Sequence, residues 1–132
     1  MSTQAPGKAT LWGGRVASAL PVVGLLMSAV MKLSHNPQLV TQFTEKFRYP
    51  EAALTPIGVT ELLCTVLYAV PKTSVLGAIL LTGYLGGAVA THVRSSEGFI
   101  APLVMGVLLW VGLFLRDGRV RALLPLRTDE AD

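Results

Sequence analysis

The sequence predicts an all-α fold, a polytopic membrane four-helix bundle, and three observations predict it. The chain of 132 residues is 52% hydrophobic and only 14% charged, too apolar for an ordinary small soluble domain. Its charges are segregated, gathering in both tails and in the short stretches between four long apolar runs. A single small domain has too much surface for its volume to hide four such runs from water, so they are read as crossing a lipid bilayer. The third observation is Glu61, a carboxylate inside the apolar run Ile57–Val70. An acidic side chain at the centre of a membrane helix costs about 3 kcal/mol on insertion scales, so such groups face inward and are paired.

The elements follow in order. Residues 1–15 are read as an N-terminal tail, 16–115 as the bundle and 116–132 as a C-terminal tail. The first span covers about 16–33. Lys8 and Arg15 ahead of it look like the flank of a signal peptide, but the stretch continues to Leu33 with no small-x-small cleavage site, so a retained helix is expected. The segment from Ser34 to about Ala53 is the only long loop, and its Phe43, Phe47 and Tyr49 are expected along the membrane interface, where aromatic rings are favoured. The second span covers about 55–70, short for the roughly 17–25 helical residues a crossing needs. Pro56 sits in its first turn with Thr55 as the cap, or kinks a longer helix entered at Pro50. Pro71-Lys72 makes a very tight connection, so the second and third spans should be antiparallel neighbours, with Thr73 capping the third over 74–93. The fourth span, 99–115, is again short.

Small residues bear on how the spans pack. Gly83-xxx-Gly87 and Gly86-xxx-Ala90 in the third span, and Gly24-xxx-Ser28 in the first, allow close approach of helices. Contact inside the bundle is the preferred reading, and a homo-oligomer contact is its alternative.

Lys and Arg set the orientation. With both termini on one side, that side carries Lys8, Arg15, Lys72, Arg116, Arg119, Arg121 and Arg127, against Lys32, Lys46, Arg48 and Arg94 on the other. Seven against four places both termini in the cytoplasm of a bacterial-type inner membrane protein. The net charge of +3 is therefore a topology signal. Nucleic-acid binding is not expected, because no concentrated basic face with polar or aromatic readers is present. The basic segment Arg116–Arg121 is expected to anchor the last span at the headgroups.

In this topology Lys32, Glu61 and His92 fall at comparable depth on three different helices, Glu61 roughly 6–10 Å below the outer boundary at helical rise. Glu61, Cys64, Thr65 and Tyr68 share an arc of about 100° on the second span. Tyr84, Ala88, Thr91 and His92 share a similar arc on the third, and Ser28 and Lys32 line up on the first. These stripes are expected to line one outward-facing cavity, with Lys32, Glu61, Tyr84, Thr91 and His92 as ligand-binding groups and Ser28, Cys64 and Tyr68 as secondary lining. The plainer alternative is that they satisfy one another as interhelical glue.

Several chemistries are excluded or disfavoured. Cys64 is the sole cysteine, so neither an intramolecular disulfide nor a Cys-x-x-Cys pair can form, and it is read as an inert buried thiol. His35 and His92 are the only histidines, and nothing in their spacing makes them converge, so no metal or haem is expected. Phosphate-binding, dinucleotide and nucleophile-elbow motifs are absent. No inverted repeat or broken helix pair points to a transporter.

The segments Leu20-Pro21-Val22, Leu26–Leu33, Tyr49-Pro50, Pro56–Leu62 and Leu76–Arg94, with their Ser-x-x-x-Lys-Leu, intramembrane Glu and Ala-Thr-His elements, resemble the DoxX-like family of small four-helix membrane proteins. The resemblance runs from about Val16 to Arg127 and implies the same bundle. It supports Lys32, Glu61, Thr91 and His92 as the shared polar cluster. The family's namesake is similar to the membrane subunit of a thiosulfate:quinone oxidoreductase. Other relatives are described as membrane partners of redox and thiol-stress enzymes, and a distant animal branch as a receptor-assembly chaperone. This chain is a bare bundle with no sulfur-chemistry domain, so thiosulfate oxidation is not carried over. The resulting expectation is a pocket for a quinone-like or other small lipophilic ligand, serving a redox enzyme subunit, with Lys32 holding Glu61 ionised. A non-enzymatic assembly factor or scaffold is the alternative.

Overall fold

A computed structural model describes residues 6–128. Among these residues every regular element is helical: α1 (Lys8–Leu33), α2 (Pro37–Thr41) running into a π turn (Gln42–Lys46), a 3₁₀ turn (Glu51–Ala53), α3 (Leu54–Ala69), a second 3₁₀ turn (Pro71–Thr73), α4 (Ser74–Arg94), α5 (Ile100–Arg116) and α6 (Gly118–Leu123). The four long helices form a ring in which α1 packs on α3 and α5, and α4 packs on α3 and α5. Sequential neighbours run antiparallel: α1 meets α3 at Lys32–Glu61 and again at Ser18–Tyr68, and the short connections hold α3, α4 and α5 to the same rule. Helices α1, α3 with its 3₁₀ turn, and α4 with the turn before it are long and apolar enough to cross a membrane. Helix α5 is a shorter apolar helix of 17 residues, roughly 26 Å at helical rise.

The distribution of side chains is that of a membrane protein. Trp12, Val16, Leu20, Val23, Met27 and Val30 form an exposed apolar stripe along α1, while Ser18, Lys32, Glu61, Thr65 and Ser74 are buried. An exposed apolar face of this extent on a soluble monomer would be an association liability; here the apolar faces contact the lipid bilayer. The core on the bundle axis is Leu25, Tyr68, Ala78, Leu81, Leu85, Leu109 and Leu113.

The helix ends differ from the sequence expectations for physical reasons. Helix α1 begins at Lys8, well ahead of the apolar stretch. Gly14 on this added portion backs onto α5, where a Cβ would meet Gly112 O and the Arg116 side chain, so packing sustains turns that hydropathy does not report. The 3₁₀ turn after Pro50 leads straight into α3, and Ala53, not Thr55, is its N-cap residue. Val70 is extended, as the residue before Pro71 must be, and ends α3. Thr73 occupies the N-cap position of α4 without capping it. Its hydroxyl donates to Leu67 O (2.7 Å), and Ser74 Oγ donates to Tyr68 O (2.7 Å), so both clamp the α3–α4 connection. At the other terminus α6 folds back on α5, with Val120 buried and Arg121 Nη1 donating to Phe114 O (2.7 Å) and Leu115 O (3.0 Å), satisfying carbonyls that the end of α5 leaves free.

The glycines that bring helices together are not those of the α4 strip. A Cβ on Gly83, Gly86 or Gly87 would meet nothing within 4 Å, so that strip makes no close contact inside the bundle. The closest backbone approaches are at Gly77, against the Tyr68 backbone of α3, and at Gly112, against Ser18 and the Gly14 carbonyl of α1, while Gly24 of the α1 strip does meet α5, at the Met105 side chain.

Candidate functional site: a polar-tipped cavity at the end of the bundle far from the termini

Glu61 meets Lys32 because Gly58, nearly one turn earlier on α3, lets α1 come close: a Cβ there would lie 3.1 Å from Lys32 Cβ and 3.1 Å from Leu33 Cγ. At that separation Lys32 Nζ donates to Glu61 Oε2 (2.6 Å) and to Ser28 Oγ (2.5 Å). The side chains are 7% and 1% exposed, so this is a buried ion pair. The Tyr84 hydroxyl on α4 donates to the same Glu61 oxygen. One carboxylate oxygen thus joins three helices. The other, Oε1, is buried without a hydrogen-bond partner among the described residues. Burial of two charges is tolerable only where geometry and added hydrogen bonds offset their desolvation, and the Ser28 and Tyr84 contacts supply these.

The cluster borders a cavity of about 380 Å³, within the usual range for small-molecule sites. Its wall includes Ser28 and Lys32 from α1, Ile57 and Glu61 from α3, Tyr84, Ala88, Thr91 and His92 from α4, and Pro102 and Met105 from α5. His92 Nδ1 donates to Ala88 O (2.6 Å), a carbonyl that can only accept, and whenever the ring carries a single proton Nε2 is then an acceptor. The Tyr49 and Thr91 hydroxyls share a hydrogen bond of 2.9 Å.

All five residues expected to bind a ligand, Lys32, Glu61, Tyr84, Thr91 and His92, stand on this wall, as does Ser28. Cys64 and Tyr68 do not. They lie farther along α3 in the bundle core, where the Tyr68 hydroxyl donates to Leu109 O (2.6 Å) and is shared with Ser18 Oγ (2.9 Å). Glu61, Cys64, Thr65 and Tyr68 do form the inward face of α3, but the cavity occupies only the end near Glu61. His35 is also elsewhere, beside Thr55 and Glu51 at the surface. Among the described residues no three His, Cys, Asp or Glu side chains gather as a metal site would need.

The roof is what sequence reasoning missed. Phe43 and Phe47 are buried, not spread along the membrane interface, and with Leu54 they form a second apolar cluster. Their rings pack edge to face at 5.4 Å. Phe47 also lies against the His92 ring at 4.9 Å, and Lys32 Nζ sits 5.6 Å from the Phe43 ring centre. Two devices hold this roof. Asn36 caps α2 through Gln38 N and Leu39 N, and Arg94 Nη2 donates to Phe47 O at 2.9 Å. The available signal was the clustering of three aromatic residues in one loop, which fits a cover as well as an interfacial belt.

The cavity sets apolar and aromatic walls around a few fixed polar groups. Comparison with known proteins points the same way as the architecture. A family model described as the DoxX-like family matches residues 16–112, more than half of the chain. No curated protein and no solved structure matches it.

Proposed function

The chain belongs to the DoxX-like family, and on that premise we propose that it binds a quinone-like or other small lipophilic ligand in this cavity, as the membrane partner of a redox system. The observation that carries the reading is the cavity itself, with apolar walls from Leu39, Phe43, Phe47 and Met105 and a polar end at Lys32, Glu61, Tyr84 and His92. Sites for small molecules are built this way, mostly apolar with a few convergent polar groups that fix orientation. The positive-inside count favours both termini in the cytoplasm of a bacterial inner membrane, an orientation in which the cavity end of the bundle lies in the outer half of the bilayer.

One observation favours a second reading. The Glu61 network ties α1, α3 and α4 together, which is also what an assembly factor or scaffold with no ligand would need. Mass spectrometry of small molecules that co-purify in lipid nanodiscs separates the two. A stoichiometric lipophile in the wild type, lost in both Glu61→Gln and the cavity-filling Ala88→Leu while the protein stays folded, supports the ligand reading. An empty wild type with a destabilised Glu61→Gln leaves the scaffold.

A further inference from the structure

We propose that the cavity selects a ligand carrying an aromatic hydroxyl, a phenol or hydroquinone, over the matching ether or quinone; this rests on the ligand reading above and deepens it. The selection follows from which polar groups on the wall are already satisfied. Lys32 uses two of its three N–H donors on Glu61 and Ser28, and its ammonium lies 5.6 Å from the Phe43 ring centre. Tyr84 uses its only proton on Glu61 Oε2. Glu61 Oε1 has no donor among the described residues, and His92 has committed Nδ1 as a donor to Ala88 O, which in the singly protonated ring leaves Nε2 to accept.

Two residues on the cavity wall thus carry an acceptor for a donor to meet, Glu61 with its buried Oε1 and His92 with Nε2. Gln42 and the Tyr49–Thr91 pair also line it, but amides and hydroxyls serve either as donor or as acceptor and so do not discriminate. A ligand hydroxyl satisfies an acceptor that is otherwise buried and unmet. A carbonyl or ether oxygen sets lone pair against lone pair and leaves it unmet. That asymmetry between a made and an unmade buried hydrogen bond is the usual source of strong selectivity. The Phe43, Phe47, Tyr49 and His92 rings around the same space suit a flat ring rather than an aliphatic alcohol.

The test is equilibrium binding to the full chain in nanodiscs with two matched pairs of probes. One pair is para-nonylphenol and para-nonylanisole; the other is a decyl hydroquinone, kept reduced under argon, and its decyl quinone. The expected result is a preference of about 10-fold or more for the hydroxyl member of each pair. Replacing His92 by Phe keeps a ring against Phe47 but removes Nε2, and should cut that preference several-fold. Glu61→Gln replaces the carboxylate acceptor by an amide and should abolish the tight binding of the hydroxyl member of each pair. Should the members of each pair bind equally, or the ether and quinone bind better, the selectivity is overturned while the ligand reading stands. If neither pair binds, the ligand reading falls and the selectivity with it. Preference for the phenol without preference for the hydroquinone overturns the redox-lipid version and assigns the site to a monophenol.

Discussion

The Lys32–Glu61 pair makes a quantitative demand on the bundle. The Nζ–Oε2 distance is 2.6 Å and neither side chain is more than 7% exposed, so removing one partner leaves the other charge buried and uncompensated. Breaking such a pair costs about 3–5 kcal/mol in proteins generally. Hydrogen bonds between membrane helices, by contrast, average about 0.6 kcal/mol and rarely pass about 1.7. If the contact is an ion pair between ionised groups, Lys32→Met and Glu61→Leu should each cost about 3 kcal/mol. The double variant removes both charges and costs little more than either single change. It is not free, because Tyr84 loses its acceptor and Ser28 its donor. The coupling energy from the four-variant cycle should therefore be about 2–3 kcal/mol. Reversible unfolding of purified protein in mixed micelles, followed by Trp fluorescence, measures all four stabilities. Additivity within about 0.5 kcal/mol is the behaviour of independent sites, and would refute a buried ion pair here.

Two further predictions concern parts of the fold away from the cavity. Gly77→Ala places a methyl inside contact distance of the Tyr68 and Leu67 backbones, which cannot give way like a side chain, and should destabilise by about 1–3 kcal/mol; Gly83→Ala and Gly86→Ala meet nothing within 4 Å and should stay within about 0.5 kcal/mol of wild type in the same assay. At the start of α6, the Arg119 side-chain hydrogen bond, helped by the Arg119 amide and against partial burial, holds the Asp117 carboxyl below its ordinary range. A carboxyl lowered on folding contributes stability above its unfolded pKa and loses it as pH falls through its folded value, so the Val120 amide shift should stay native through the ordinary carboxylate range and change only below it, and Asp117→Asn should flatten the response; a midpoint at the ordinary aspartate value would contradict the contact.

What could be read from the sequence was whatever depends on polarity and period. Four apolar runs gave the helices, and Lys32, Glu61 and His92 could be matched in depth because helical rise is fixed. The convergence of Tyr84 and Thr91 on the same cavity wall followed from their spacing on α4. Less legible were features that depend on which faces meet. The strip Gly83–Gly87 looks like a packing motif, yet Gly14, Gly58, Gly77 and Gly112 make the close approaches, because a glycine matters only where a partner backbone or side chain arrives. Cys64 and Tyr68 share an arc with Glu61, but an angle on a helical wheel says nothing about where a cavity ends along the axis. The roof was hidden for a similar reason: Phe43 and Phe47 follow from the fold of the loop over the bundle, and loops have no period from which to read a face.

That roof turns a polar cluster into a site. Without Phe43 and Phe47 over it, the end of the bundle would leave Lys32 and Glu61 open to headgroups and water, and an ion pair in water contributes little. With the roof in place, the two oxygens of Glu61 take different roles. Oε2 accepts from Lys32 and Tyr84 and holds three helices together, while Oε1 takes no part in that. Stability therefore accounts for one oxygen and leaves the other unexplained. A bundle shaped only for packing gains nothing by burying a bare carboxylate oxygen, because an unmet buried acceptor costs about 1–3 kcal/mol or more. On the proposed reading, a donor that arrives with the ligand meets Oε1. Loss of stability in a Glu61 variant thus bears on Oε2 alone, and only the binding of hydroxyl-bearing probes tests Oε1.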